Sequence, residues 1–79
     1  MTNNKKDYKA KDIGEIAYLM FKNIELVDCI TYEKKSILYF KNDNKQSEKA
    51  IMEYYNSEYY DYYKSMQKAR QFLFNRNNG

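Results

Sequence analysis

Histidine, proline and tryptophan are absent from this 79-residue chain, which has a single cysteine and two glycines. Without histidine the commonest general base and metal ligand is missing. One cysteine and no histidine cannot complete a zinc site, so neither a metal nor a cofactor is expected. Cys29 sits inside an apolar run with no histidine to activate it and reads as a structural thiol. Two glycines, Gly14 and Gly79, cannot make a phosphate-cradling loop. Carboxylate pairs such as Asp28 with Glu33 belong to solvated faces in this pattern. The residue inventory therefore argues against an enzyme. No run of about 18 apolar residues exists, so no membrane-spanning helix is expected. The opening MTNNKKDYKAKD has charge but no following apolar stretch and is not read as a signal peptide. A lone cysteine without an export signal fits a reducing bacterial cytoplasm.

Aliphatic residues are scarce too. There are four leucines and one valine against ten tyrosines. A chain this short buries only roughly 60% of its unfolded surface. Its core is thin, must borrow tyrosine rings, and would gain from self-association. Six of the tyrosines crowd into "EYYNSEYYDYYKS", residues 53–65.

The periodicities give an order of elements. Residues 1–6 read as loose, and Asp7 to Lys11 as extended, a candidate edge strand. Asp12 followed by Glu15 reads as a capping box opening a helix over 13–22. Ile13, Ile16, Ala17, Met20 and Phe21 mark its apolar face, and Asn23 is a left-handed C-cap. "IELVDCITY" (24–32) and "SILYFKN" (36–42) read as a hairpin around "EKK". Strict alternation puts Leu26, Asp28, Ile30 and Tyr32 on one face and Val27, Cys29 and Thr31 on the other. Both faces carry apolar residues, so the pattern leaves the core face open. Residues 42–58 hold a helix with Ala50, Ile51, Tyr54 and Tyr55 at helical spacing, ending at Asn56-Ser57. Asp61 then reads as the N-cap of a last helix over 62–76, and residues 77–79 as frayed. Its apolar stripe is Tyr62, Met66, Ala69 and Leu73, opposite Lys64, Lys68, Gln71 and Asn75. The expected fold is α+β, a small antiparallel hairpin with an N-terminal edge strand packed on three helices, in the order (β)αββαα.

Three stretches, "YKAKDIGEIAYLM" (8–20), "LYFKND" (38–43) and "EYYNSE" (53–58), resemble a family of small bacterial and phage proteins known only as a domain of unknown function. Its typical members open with an extended Tyr-Lys-Thr-Lys-Asp. A helix, a hairpin, a helix ending in Tyr-Trp-Asn-Gly and a final helix follow. Here Tyr55 stands at the tryptophan and Ser57 at the glycine. The resemblance spans nearly the whole chain and implies the same layout. It supplies no activity.

Net charge is +3, unevenly spread: +2 on residues 1–12, zero on 13–42, −3 on 43–61 and +4 on 62–79. Tyr54 and Tyr62 fall on apolar stripes and are expected in the core. Tyr59 and Tyr60 fall in the connection and are expected outside. Exposed tyrosine is enriched at interface hot spots. Tyr55, Glu58, Tyr59, Tyr60, Asp61 and Tyr63 are therefore the candidate protein-binding residues. Lys64, Lys68, Arg70 and Arg76 are the candidate phosphate contacts of a rival nucleic-acid reading. Glu53, Glu58 and Asp61 lie among the same rings and would repel a phosphate backbone, so such binding is expected to be weak. The expectation is a cytoplasmic macromolecule binder. Asn, Lys, Ile and Tyr, all with AT-rich codons, fill 37 of the positions. That suits a phage or mobile-element inhibitor docking on a host defence complex, as anti-CRISPR proteins do. The alternatives are a nucleic-acid-binding regulator and a structural homo-oligomer.

Overall fold

The computed structural model describes residues 6–78, with the side chains of residues 77 and 78 left aside; the segment expected to be loose lies outside the described residues except for Lys6. The elements are β1 (Tyr8–Lys9), α1 (Ile13–Phe21), β2 (Leu26–Tyr32), β3 (Lys35–Phe40), a 3-10 turn at Asp43–Lys45, α2 (Gln46–Tyr55) and α3 (Glu58–Asn78). The fold is α+β, and the strand order is β1-β3-β2, antiparallel throughout.

Local chemistry explains the boundaries. Asp12 caps α1, its carboxylate accepting from the Glu15 amide at 3.0 Å. The expected reciprocal bond is absent, because the Glu15 side chain turns to the Lys11 amide instead, at 3.0 Å. At the other end Asn23 takes a φ of 62°. Its amide bonds Met20 O and the Ile24 amide bonds Leu19 O, the pair of bonds of a Schellman stop. Ile24 then packs on the core and aims the chain into β2. The hairpin closes through two residues, Glu33 and Lys34, with φ of 46° and 69°, as a type I′ turn requires. Asn42 holds the start of α2, its side-chain oxygen accepting from the Ser47 and Glu48 amides. Asn56 and Ser57 cover the last carbonyls of α2, their side chains donating to Met52 O and Tyr54 O.

Two expectations are corrected here. Directly paired strand residues share a face. Leu26 pairs with Phe40, then a register shift follows and Asp28 pairs with Tyr39. This bulge at Val27 consumes one residue without crossing the sheet. Leu26 therefore joins Cys29 and Leu38 on the core side, while Asp28, Ile30 and Tyr32 face outward with Ile37 and Tyr39. The last helix begins at Glu58, not after an Asp61 cap, and it runs to Asn78. Glu58 and Asp61 occupy its first turn, where carboxylates suit the positive end of the helix dipole. Only Asn56 and Ser57 connect α2 to α3, so Tyr59 and Tyr60 are helical.

The core is Ala10, Tyr18, Leu19, Phe40, Ala50, Ile51 and Tyr54, with Tyr8, Ile16, Ile24, Leu38 and Tyr60 packed against it. α1 turns a different face inward from the one expected. Gly14, Glu15, Tyr18 and Leu19 are buried, while Ile13, Met20 and Phe21 are exposed. The buried stripe contains a glycine, a glutamate and a tyrosine, which an apolar count overlooks.

Candidate functional site

Glu15, marked in the sequence only as the second half of a capping box, is fully buried, at 0% exposure. Burying a carboxyl group is costly unless its oxygens are hydrogen-bonded. Its Oε1 accepts from the Tyr8 hydroxyl at 2.8 Å and the Lys11 amide at 3.0 Å, and its Oε2 from the Tyr55 hydroxyl at 2.6 Å. Burial first, and then these bonds to Glu15, hold the Tyr8 and Tyr55 hydroxyls above their ordinary range. With its oxygens taken, Glu15 is a fastening between β1, α1 and the end of α2.

The open feature lies on the other side of α1. A groove of about 450 Å³ runs between α1 and the first half of α3. Gly14, Ala17, Tyr18 and Phe21 form one wall, Tyr59, Tyr62, Tyr63 and Met66 the other, and Tyr54 rises from α2 beneath. Gly14 is what brings the walls together. A Cβ there would collide with the Tyr54 hydroxyl and lie 3.2 Å from the Tyr63 ring. That hydroxyl is buried and finds no hydrogen-bond partner among the described residues. Burial, and next the negative charge of Asp12, raise its pKa to about 12. The Tyr18 ring packs at a tilt 5.1 Å from Tyr54 and 5.8 Å from Tyr59, and Phe21 closes the row at 5.5 Å from Tyr59. At the margin, Lys22 pairs with Glu53 at 3.7 Å and lies over the Tyr18 ring.

The six candidate protein-binding residues separate into three groups. Tyr59 and Tyr63 line the groove. Tyr55 and Tyr60 pack edge-on against one another at 4.6 Å on the core. The Tyr55 hydroxyl is committed to Glu15 and the Tyr60 ring lies under the Lys64 ammonium, 4.7 Å away. Glu58 and Asp61 are exposed, and Asp61 pairs with Lys64 at 3.8 Å. Tyr62, expected in the core, is 69% exposed and forms the outer lip of the groove. Tyr54, at 3% exposure, takes the core position instead. The signal that would have found the groove is spacing, since Tyr59 stands three residues before the stripe of Tyr62, Met66, Ala69 and Leu73.

Lys64, Lys68, Arg70 and Arg76 are all exposed on α3. At about 100° per residue they do not share a face. Lys64 and Lys68 lie opposite the apolar stripe, whereas Arg70 and Arg76 flank it on its two sides. Among the described residues no three of His, Cys, Asp and Glu gather where they could hold a metal. No helix of the described residues is long and apolar enough to cross a membrane.

No protein-family model, curated protein or solved structure matches this chain. The resemblance to the small bacterial and phage family rests on the three quoted stretches alone.

Proposed function

We propose that the protein is a non-enzymatic interaction module that receives a helix of a protein partner in the groove between α1 and α3. The observation that carries this reading is the groove itself. Its two walls are apolar and aromatic, and two of its rings, Tyr18 and Tyr54, belong to the core. Tyr59 and Phe21 at its margin are 55% and 63% exposed. Tyrosine is enriched among interface hot spots and phenylalanine at interfaces generally, and helix-in-groove docking uses such a cleft. Glu15, the one carboxyl group buried among the described residues, does not line the groove. The finer reading, a phage or mobile-element inhibitor of a host defence complex in a bacterial cytoplasm, is proposed from chain length, composition and missing catalytic residues.

The test places a photo-crosslinking amino acid at Tyr62 and, separately, at Ile37 on the outward sheet face, in bacterial cells. A protein adduct from Tyr62, lost in a Tyr59→Ala background and absent at Ile37, supports the reading. Adducts at Ile37 alone would move the docking face to the sheet.

A further inference from the structure

Residues Tyr59, Tyr62, Met66, Ala69 and Leu73 follow one another at intervals of three, four, three and four. That is the spacing of a two-helix seam, and Arg76 continues it by three. Only the first half of this seam belongs to the groove. Beyond Met66 every described residue of α3 whose side chain is defined is exposed. Leu73, on the stripe itself, is 57% exposed. One helix thus carries both a groove wall and, further along, a free stripe of the same register.

Resting on the groove being a helix-docking site, we infer that its occupant is the second half of α3 from a second copy of this chain, packed antiparallel. Charge selects the direction. Of the charges on α3, Glu58 and Arg76 lie beside the stripe at its two ends, whereas Asp61, Lys64 and Lys68 face away from it and Asp61 pairs with Lys64 on the same helix. Antiparallel packing brings Arg76 of each helix to Glu58 of the other. Parallel packing would set Arg76 beside Arg76 and Glu58 beside Glu58. A two-fold axis between Met66 and Ala69 pairs Tyr62 with the partner's Leu73, Met66 with the partner's Ala69, and Tyr59 with the partner's Arg76. Each layer joins a large side chain to a smaller or complementary one, and the last sets a guanidinium over a ring. The arrangement is isologous, so it closes on itself as a dimer. It also covers the stripe that the thin core of a single copy leaves outside.

Sedimentation equilibrium and disulfide trapping decide it, the trapping in a Cys29→Ser background. The parent is expected to be a dimer at micromolar concentration. Leu73→Glu should weaken it at least about thirtyfold, the size of an interface hot spot, with an unchanged circular dichroism spectrum. Chains carrying Tyr62→Cys, mixed with differently tagged chains carrying Leu73→Cys, should link to each other. A monomer throughout the high micromolar range overturns the inference, as does a dimer indifferent to Leu73→Glu. Leu73→Cys chains that link to themselves in preference indicate a parallel pair and overturn it too. A monomer whose Tyr62 still crosslinks a different protein sinks the self-docking inference and leaves the groove as a docking site.

Discussion

At the scale of single residues, Gly14 and Tyr54 form a coupled pair with an unusual sign. Alanine normally improves a helix over glycine by about 1 kcal/mol. At position 14 its methyl group would strike the Tyr54 hydroxyl and crowd Tyr63. Gly14→Ala is therefore expected to destabilise by about 1–3 kcal/mol, as overpacking does. Tyr54→Phe removes a buried hydroxyl without a partner among the described residues. It should leave the melting temperature unchanged or raise it, since an unsatisfied polar group is lost. Gly14→Ala should then be better tolerated in the Tyr54→Phe background, a non-additivity that thermal melts of the four proteins measure. Equal costs in both backgrounds would show that the hydroxyl is not the obstacle. Glu15 is the opposite case. Glu15→Ala strands two tyrosine hydroxyls and an amide, and should cost about 3 kcal/mol or more. An amide at the same place, Glu15→Gln, keeps one acceptor and should cost less. If Glu15→Ala melts like the parent, the fastening is not structural.

At the scale of elements, the sequence was readable where one local rule decides. The Asp12 cap, the Asn23 stop and the hairpin all follow from neighbours in the chain. It was unreadable where the decision is tertiary. The buried face of α1 was obscured because Glu15 becomes a core residue only when Tyr8 and Tyr55, from two other elements, supply donors. The bulge at Val27 leaves no composition signal, yet it moves Leu26 across the sheet. The start of α3 was hidden because Glu58 to Asp61 reads equally well as a polar connection. Of the groove, the α3 stripe is visible and the facing wall of Gly14, Ala17 and Phe21 is not, since Ala17 and Phe21 read as core. The hairpin turn offers a direct check. Glu33 and Lys34 hold positive φ, a conformation costing ordinary residues roughly 1 kcal/mol each. Replacing the pair by Asn-Gly should raise stability by about 1 kcal/mol or more in urea melts. No gain would mean that the turn relaxes elsewhere in solution.

At the scale of the whole molecule, the tyrosines set the response to alkali. Tyrosine in an unfolded chain loses its proton near pH 10. In the fold, burial raises Tyr8, Tyr18, Tyr54 and Tyr55 above that value, with Tyr54 at about 12. Between those limits the unfolded chain holds fewer protons than the folded one, so stability falls as pH rises. The contribution is intact below about pH 10 and is lost on approaching pH 12. Denaturation midpoints should be flat from neutral pH to about 10 and then drop. An ultraviolet titration should show a late-ionising subset of phenols released together with unfolding. Phenols that all titrate near pH 10 in the folded protein would contradict the desolvation of these four hydroxyls.

The Glu15 fastening also has a consequence for how the molecule opens. One carboxyl group ties a strand, the helix it belongs to and the end of the next helix, so none of the three can fluctuate alone without stranding the others' donors. The Lys11 amide, although it precedes α1 in a surface connection, should exchange its hydrogen for deuterium as slowly as the amides of β3. The amides around Leu73 should exchange by fraying in a monomer and slow markedly as the protein concentration rises. Protection would then be graded along the single 21-residue helix, fixed by the fold at one end and by mass action at the other.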